Sequence, residues 1–191
     1  MLGGFLFKYR SFVPVPIALV LVFVHYGATA ASWAPAIGGL FVLLGEGVRL
    51  WAVRHIGTIS RTRANRYGPL ISDGPYALVR NPLYIGNFCL WIGFVFWSRL
   101  LWMLPVAVAI FRLEYVAITG FEASLLRDKY PDAYAQYAAA VPAWIPRLAN
   151  LPDALASRGS HPWREVFFSE RGTLIAVVVM TALLLLKGRA W

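Results

Sequence analysis

Charge is scarce in this sequence. Asp, Glu, Lys and Arg make up 14% of its 191 residues, against about 25% in soluble domains. Too few polar side chains remain to cover a water-soluble globule, and a lipid bilayer is the solvent that removes the difficulty. Acidic residues are scarcer still: nine stand against 18 Lys and Arg, for a net charge of +9. The basic residues gather between apolar runs, at 54–66 and 147–171. Loops flanking membrane spans have this distribution, which argues against a nucleic-acid surface. Such loops also attract anionic head groups or an anionic cofactor. Cysteine is nearly absent. Cys89 is the only one, which excludes an intrachain disulfide and a cysteine-based metal site. It lies in an apolar run, as a small packing residue does. The sequence has no internal repeat, low-complexity tract or metal-binding signature.

What fills the sequence instead is apolar runs. About 20 such residues cross a hydrocarbon core as a helix. The runs place spans at 12–31, 33–53, 82–98 and 100–119, and a fifth, shorter run at 172–187 ends in Lys187-Gly188-Arg189. That last run can cross with its flanking residues snorkelling, or lie re-entrant. Ala28-Thr29-Ala30 gives the first run a competing reading as a signal peptide, although the run is longer than a signal core and further spans follow it. The expected fold is therefore all-α: a single polytopic transmembrane bundle of about five spans. Lys8, Arg10 and the segments 54–81 and 120–171 fall on one side, which the positive-inside rule makes cytoplasmic.

Four ionisable residues fall inside the expected spans: Glu46, Arg49, Arg112 and Glu114. Charge at membrane depth is costly and faces protein or water, so these four are the candidate catalytic or cavity residues. Glu46 and Arg49 are spaced to share a helix face and pair. Arg112 and Glu114 point to different faces, so one of them is expected to meet the Glu46/Arg49 pair across the bundle. A buried network that only sets helix register is the competing reading. His25 reads as a packed histidine, and Arg54 as a snorkelling one.

The most informative stretch is Ser72-Asp73-Gly74-Pro75-Tyr76-Ala77-Leu78-Val79-Arg80-Asn81-Pro82-Leu83-Tyr84-Ile85-Gly86. Asp73-Gly74-Pro75 makes a turn with proline at an early helical position. Pro82 then interrupts the helix and starts another, with Asn81 placed to cap it. A helix N-terminus opening beside Arg80 suits a carboxylate or phosphate. Read on composition alone, the same stretch is a kinked membrane entry with a snorkelling arginine.

The pattern Gly-Pro-Tyr-x-x-x-Arg-Asn-Pro-x-Tyr-x-Gly, Gly74 to Gly86, resembles the signature of isoprenylcysteine carboxyl methyltransferases and the related phospholipid N-methyltransferases. Glu122-Ala-Ser-Leu125, Tyr130-Pro131-Asp-Ala-Tyr134-Ala-Gln-Tyr137, Val141-Pro142 and Ile145-Pro146 continue it. Leu50-Trp51-Ala52 and His55-Ile56-Gly57 look like the helix end that precedes it. The resemblance covers about residues 40–147. Three positions depart from the pattern: Asn81 stands where many members have His, Phe121-Glu122 replaces a Glu-Glu pair, and Tyr130-Pro131 replaces Phe-Gly.

The resemblance implies S-adenosyl-L-methionine as cofactor. Tyr76, Arg80, Asn81, Pro82, Tyr84 and Gly86 would line its methionyl end, and Glu122 would accept hydrogen bonds from its ribose hydroxyls or amino group. Tyr134 and Tyr137 share one face of a short amphipathic helix that would complete the site and offer aromatic walls to a sulfonium. That helix reads equally as one resting on the membrane. Glu46, Glu114, Glu122 and, more weakly, His55 are the possible bases. The expected reaction is methyl transfer to a lipid or lipidated, apolar-tailed acceptor entering from the bilayer of a bacterial inner membrane, at the cytoplasmic face. A non-catalytic protein that keeps the fold to bind lipid or a partner is the alternative.

Overall fold

The structure is a computed structural model that describes residues 2–25, 31–57 and 69–190. Ala28-Thr29-Ala30 and the basic residues Arg61, Arg63 and Arg66 lie outside the described residues. Among the described residues eight α-helices follow one another: α1 (Leu2–Tyr9), α2 (Pro14–Phe23), α3 (Ala34–Ile56), α4 (Pro82–Trp97), α5 (Leu104–Lys129), α6 (Pro131–Ala140), α7 (Leu151–Ala156) and α8 (Trp163–Ala190). Short 3-10 turns occupy Gly74–Ala77, Leu101–Met103 and Leu148–Asn150. No strand occurs among the described residues.

Three helices are long and apolar enough to cross a bilayer: α3, α5 with its leading turn, and α8. Among the described residues these make an all-α membrane bundle of three such helices, or up to four if the bent pair α1–α2 is one span, where about five spans were expected. Of the first expected span, 12–31, the helical part among the described residues is α2, and residues 26–30 lie outside them; a further helix precedes it. The chain is helical from Leu2, breaks after Tyr9, and resumes at Pro14 with a bend of 51°. Proline at the start of α2 supplies no N–H to continue the preceding helix. α4 has 16 residues, about 24 Å of helix against a core of about 30 Å. Two other helices overrun their apolar runs. α5 continues to Lys129 rather than stopping at 119, and α8 begins at Trp163 rather than 172. Hydropathy marks where the solvent changes, whereas backbone hydrogen bonding carries the helix beyond that point. These overruns bring Glu122 and Glu170 onto helices.

Glycine sets the closest approach in the bundle. α3 and α4 pack against each other more extensively than any other pair. A Cβ at Gly45 would stand 2.7 Å from the Gly86 carbonyl, and one at Gly38 would stand 2.6 Å from the Gly93 carbonyl. Small residues on both faces let the backbones meet, the usual device for helix association in lipid. α4 returns into α5 through a tight turn in which Arg99 has φ 62° and Ser98 Oγ donates to the Val95 carbonyl at 2.8 Å. α1 lies along α5, and α8 lies along α3 and α2. At the far end of α8, Lys187 Nζ donates to the Leu21 carbonyl at 2.8 Å. Apolar cores form at two levels, one around Leu21, Val95 and Leu100, the other around Phe7, Phe111 and Ile118.

Candidate active site

The 3-10 turn Gly74–Ala77 is built from behind. His55, buried near the end of α3, places its ring against Gly74, so that any Cβ there would collide with the imidazole. Gly74 also has φ 55°, a conformation that favours glycine. Asp73 faces His55 Nδ1 at 3.1 Å and accepts from Ser157 Oγ at 2.9 Å. Burial raises the Asp73 carboxyl, but the hydrogen bonds from Ser157 and His55 outweigh it and hold the group below its ordinary value. His55 does not line the cavity described below. Its ring props the turn from behind.

A strap formed by 141–161 closes over the same turn. Tyr137 Oη donates to the Tyr76 carbonyl at 2.8 Å, Asn150 Nδ2 to the Ala77 carbonyl at 3.0 Å, and the Arg147 N–H to the Leu78 carbonyl at 2.8 Å. The Arg80 N–H donates to the Pro142 carbonyl at 2.9 Å. Asn81 was expected to cap α4 with its side chain. It sits at the N-cap position without a side-chain capping bond, and its Nδ2 donates to the Ala143 carbonyl at 2.9 Å, tying the start of α4 to the strap. The turn, the strap and α6 thus form one hydrogen-bonded unit at the end of the bundle.

This unit and the helix ends enclose a cavity of about 1030 Å³. Tyr76, Arg80, Asn81, Pro82, Tyr84, Glu122, Tyr134 and Tyr137 line it together. Gly86 does not; it lies in the α3–α4 contact, where a Cβ would meet the Arg49 side chain. Arg80 Nη1 donates to Tyr134 Oη at 3.2 Å, and Tyr84 Oη donates to Glu122 Oε1 at 2.9 Å. Burial raises the hydroxyls of Tyr76 and Tyr137 well above the usual tyrosine value, so both stay protonated.

Of Glu46, Arg49, Arg112 and Glu114, only Arg49 lines the cavity. Its carboxylate partner comes from α8, where Glu46 on the same helix or Glu114 on α5 was expected. Glu170 Oε2 accepts from Arg49 Nη2 at 2.5 Å and from Nε at 3.0 Å. Asn87 Oδ1 accepts from Nη1 at 2.5 Å, and Asn87 Nδ2 donates to Tyr115 Oη at 2.8 Å. One chain of hydrogen bonds therefore crosses α8, α3, α4 and α5. Glu46 is buried on α3, Glu114 is buried on α5, and Arg112 is exposed; none of the three lines the cavity. Glu170, Arg10 and Asn87 are cavity residues that sequence reasoning passed over. The pairing of Glu170 with Thr173 on one face at the start of the last apolar run was the available signal for the first.

Two observations bear on what the cavity could hold. Tyr76 Oη and Arg80 Nε are buried without a hydrogen-bond partner among the described residues, a cost that a bound polar group would remove. The wall combines a guanidinium for a carboxylate, a carboxylate for an amine or hydroxyls, and tyrosine rings for a sulfonium. The volume reaches the top of the roughly 300–1,000 Å³ range of ligand pockets, enough for a cofactor and part of a second molecule.

A helical membrane bundle with a cavity lined by charged, aromatic and apolar side chains is the class that fold and site define. The family model for phospholipid methyltransferase matches residues 33–133, more than half of the sequence. The chain belongs to that family. It is also similar to a nickel-cobalt-cadmium resistance protein of Alcaligenes xylosoxydans xylosoxydans, at 28% identity over 72% of this chain and 63% of the relative. A cobalt-zinc-cadmium resistance protein of Cupriavidus metallidurans is 30% identical over 85% of this chain and 72% of the relative. The chain thus spans less than two thirds of the first relative's length. No solved structure matches it.

Proposed function

We propose that the chain transfers a methyl group from S-adenosylmethionine to a lipid or apolar-tailed acceptor at the cytoplasmic membrane surface. The observation that carries this reading is the two-sided cavity. Tyr76, Arg80, Tyr84 and Glu122 line one part, and Ile17, Leu21, Phe94 and Met180 line another. When bound, the cofactor supplies an electrophilic methyl on a sulfonium. Arg80 holds the methionyl carboxylate, and Glu122, oriented by Tyr84, takes the amino group or the ribose hydroxyls. Tyr134 and Tyr137 flank the cation. The apolar part admits a hydrocarbon tail from the bilayer and excludes water. Displacement at a methyl is in line, so holding both partners aligned is the main contribution asked of the protein.

The segments 54–81 and 120–171 face the cytoplasm in this reading, supported by their excess of Lys and Arg. A cysteine placed at Ser157 should resist membrane-impermeant maleimide in intact cells; labelling from outside overturns the orientation. The acceptor is found by incubating a lipid extract with protein and methyl-labelled cofactor and weighing the products. A labelled lipid one methylene heavier is expected, and its absence together with the absence of cofactor binding overturns the reading.

The relatives' names support a second reading, in which this chain serves tolerance to nickel, cobalt, zinc or cadmium; its non-catalytic form makes no methyl transfer. In that case the protein keeps the fold, shows no heat with S-adenosylmethionine, and its deletion lowers metal tolerance.

A further inference from the structure

We propose that Arg10 is the specificity residue of the cavity, anchoring an anionic oxygen-acid group, carboxylate or phosphate, on the acceptor's head. The inference rests on the methyl-transfer reading and goes beyond the family match, which begins at residue 33 and does not include this arginine.

Arg10 lies in the break between α1 and α2, where the helix ends at Tyr9 and restarts at Pro14. The break turns its side chain into the cavity rather than along a helix flank. The guanidinium stands over the Phe7 ring, 4.4 Å from its centroid, and its Nη1 lies 3.5 Å from Tyr84 Oη and 3.8 Å from Glu122 Oε1. The ring and the tyrosine fix its position. The nearer hydrogen bond to Glu122 comes from Tyr84 at 2.9 Å, so the arginine meets that carboxylate through charge rather than a close fork. Pro14, Ile17 and Leu21 continue the wall immediately beyond it on the apolar side. Arg10 therefore marks the seam where the head of an apolar-tailed molecule would stop.

Charge balance points the same way. The cavity wall carries Arg10, Arg49 and Arg80 against Glu122 and Glu170. Glu170 is engaged by Arg49 at 2.5 Å, and a bound sulfonium adds a further positive charge. The wall is thus cationic beside the acceptor's position. In a site of low dielectric such a wall favours an anionic head and penalises an ammonium head. Arg80 serves the cofactor's carboxylate in the proposed function, which leaves Arg10 as the arginine at the tail's end.

The test uses the full chain in neutral phosphatidylcholine nanodiscs, with empty discs as background. Hexadecanoate, hexadecyl phosphate and hexadecylamine are titrated into wild type, Arg10→Gln and Arg10→Lys. At least one anion should bind wild type about tenfold or more tightly than the amine, and whichever anion does so identifies the head group. Arg10→Gln should lose about tenfold for that anion and nothing for the amine, while Arg10→Lys recovers part of the loss. Equal anion affinity in wild type and Arg10→Gln overturns the proposal. So does a wild type that prefers the amine, a result that holds even if the variants misfold. Heat of S-adenosylmethionine binding, measured on the same discs, separates the two claims: its absence in wild type removes the methyl-transfer reading, while the amphiphile series still decides Arg10.

Discussion

α3 and α8 are nearly equal in hydropathy and differ in how they are held. In the most apolar stretch of α3, 39% of the residues are buried inside the protein, against 17% in α8. α3 meets α4 backbone to backbone through Gly38, Gly45, Gly86 and Gly93. α8 is fastened by two polar hooks, Glu170 to Arg49 and Lys187 to the end of α2. Lipid supplies no hydrophobic drive for helices to associate, so side-chain size and polar partners decide which helices adhere. The comparison separates two kinds of stability, one by close fit and one by hooks.

Removing a hook should have the largest effect. Glu170→Ala leaves a buried guanidinium without its carboxylate, and we expect a loss of about 3–5 kcal/mol in detergent unfolding. The double variant Arg49→Met, Glu170→Leu should recover most of it. Equal loss in both would show that α8 is held by its apolar face.

Spoiling the fit comes next. Gly45→Leu must push against the Gly86 carbonyl and the Leu90 amide, for an expected loss of about 3 kcal/mol. Gly47 lies on the same helix with nothing within 4 Å, so Gly47→Leu should be neutral or slightly stabilising. Similar losses at both sites would mean that intrinsic helix preference, not interhelical approach, governs α3.

Outside the spans, the Asp73 clasp titrates. Its carboxyl is lower in the folded than in the unfolded chain. The stabilisation is therefore fully present above the unfolded value and is lost as pH falls through the folded one. Wild type should lose thermal stability relative to Asp73→Asn below about pH 4, with no change in their difference between pH 6 and 8. A difference that stays constant below pH 4 would show that Asp73 is not held below its ordinary value. The smallest effect is expected at Val178, 66% exposed on α8, where Val178→Ala should stay within about 0.5 kcal/mol.

The same division explains what was legible in the sequence. Apolar runs located the helices of the bundle because burial in lipid acts on composition alone. They missed the break before Pro14 and the ends of α5 and α8, since helix continuation is a backbone property. The Gly74–Gly86 pattern pointed to the stretch that, with the helix ends, walls the cavity. The props of its turn were not legible: His55, Asp73 and Ser157 meet only because α3 ends beside the strap. Arg49 and Glu170 are 121 residues apart, and no local spacing rule joins them. Glu46, three residues from Arg49, was the local choice, and a cross-helix carboxylate took the place. Arg10 read as a topology marker because its role depends on a bend that hydropathy does not register.

The central claim is that Arg80 and Glu122 face a cofactor across the cavity at the bundle's end. Calorimetric titration of S-adenosylmethionine into wild type, Arg80→Ala and Glu122→Ala tests it most directly. The account predicts saturable heat for wild type and none for either variant at unchanged unfolding temperature. Wild-type heat in both variants would contradict it.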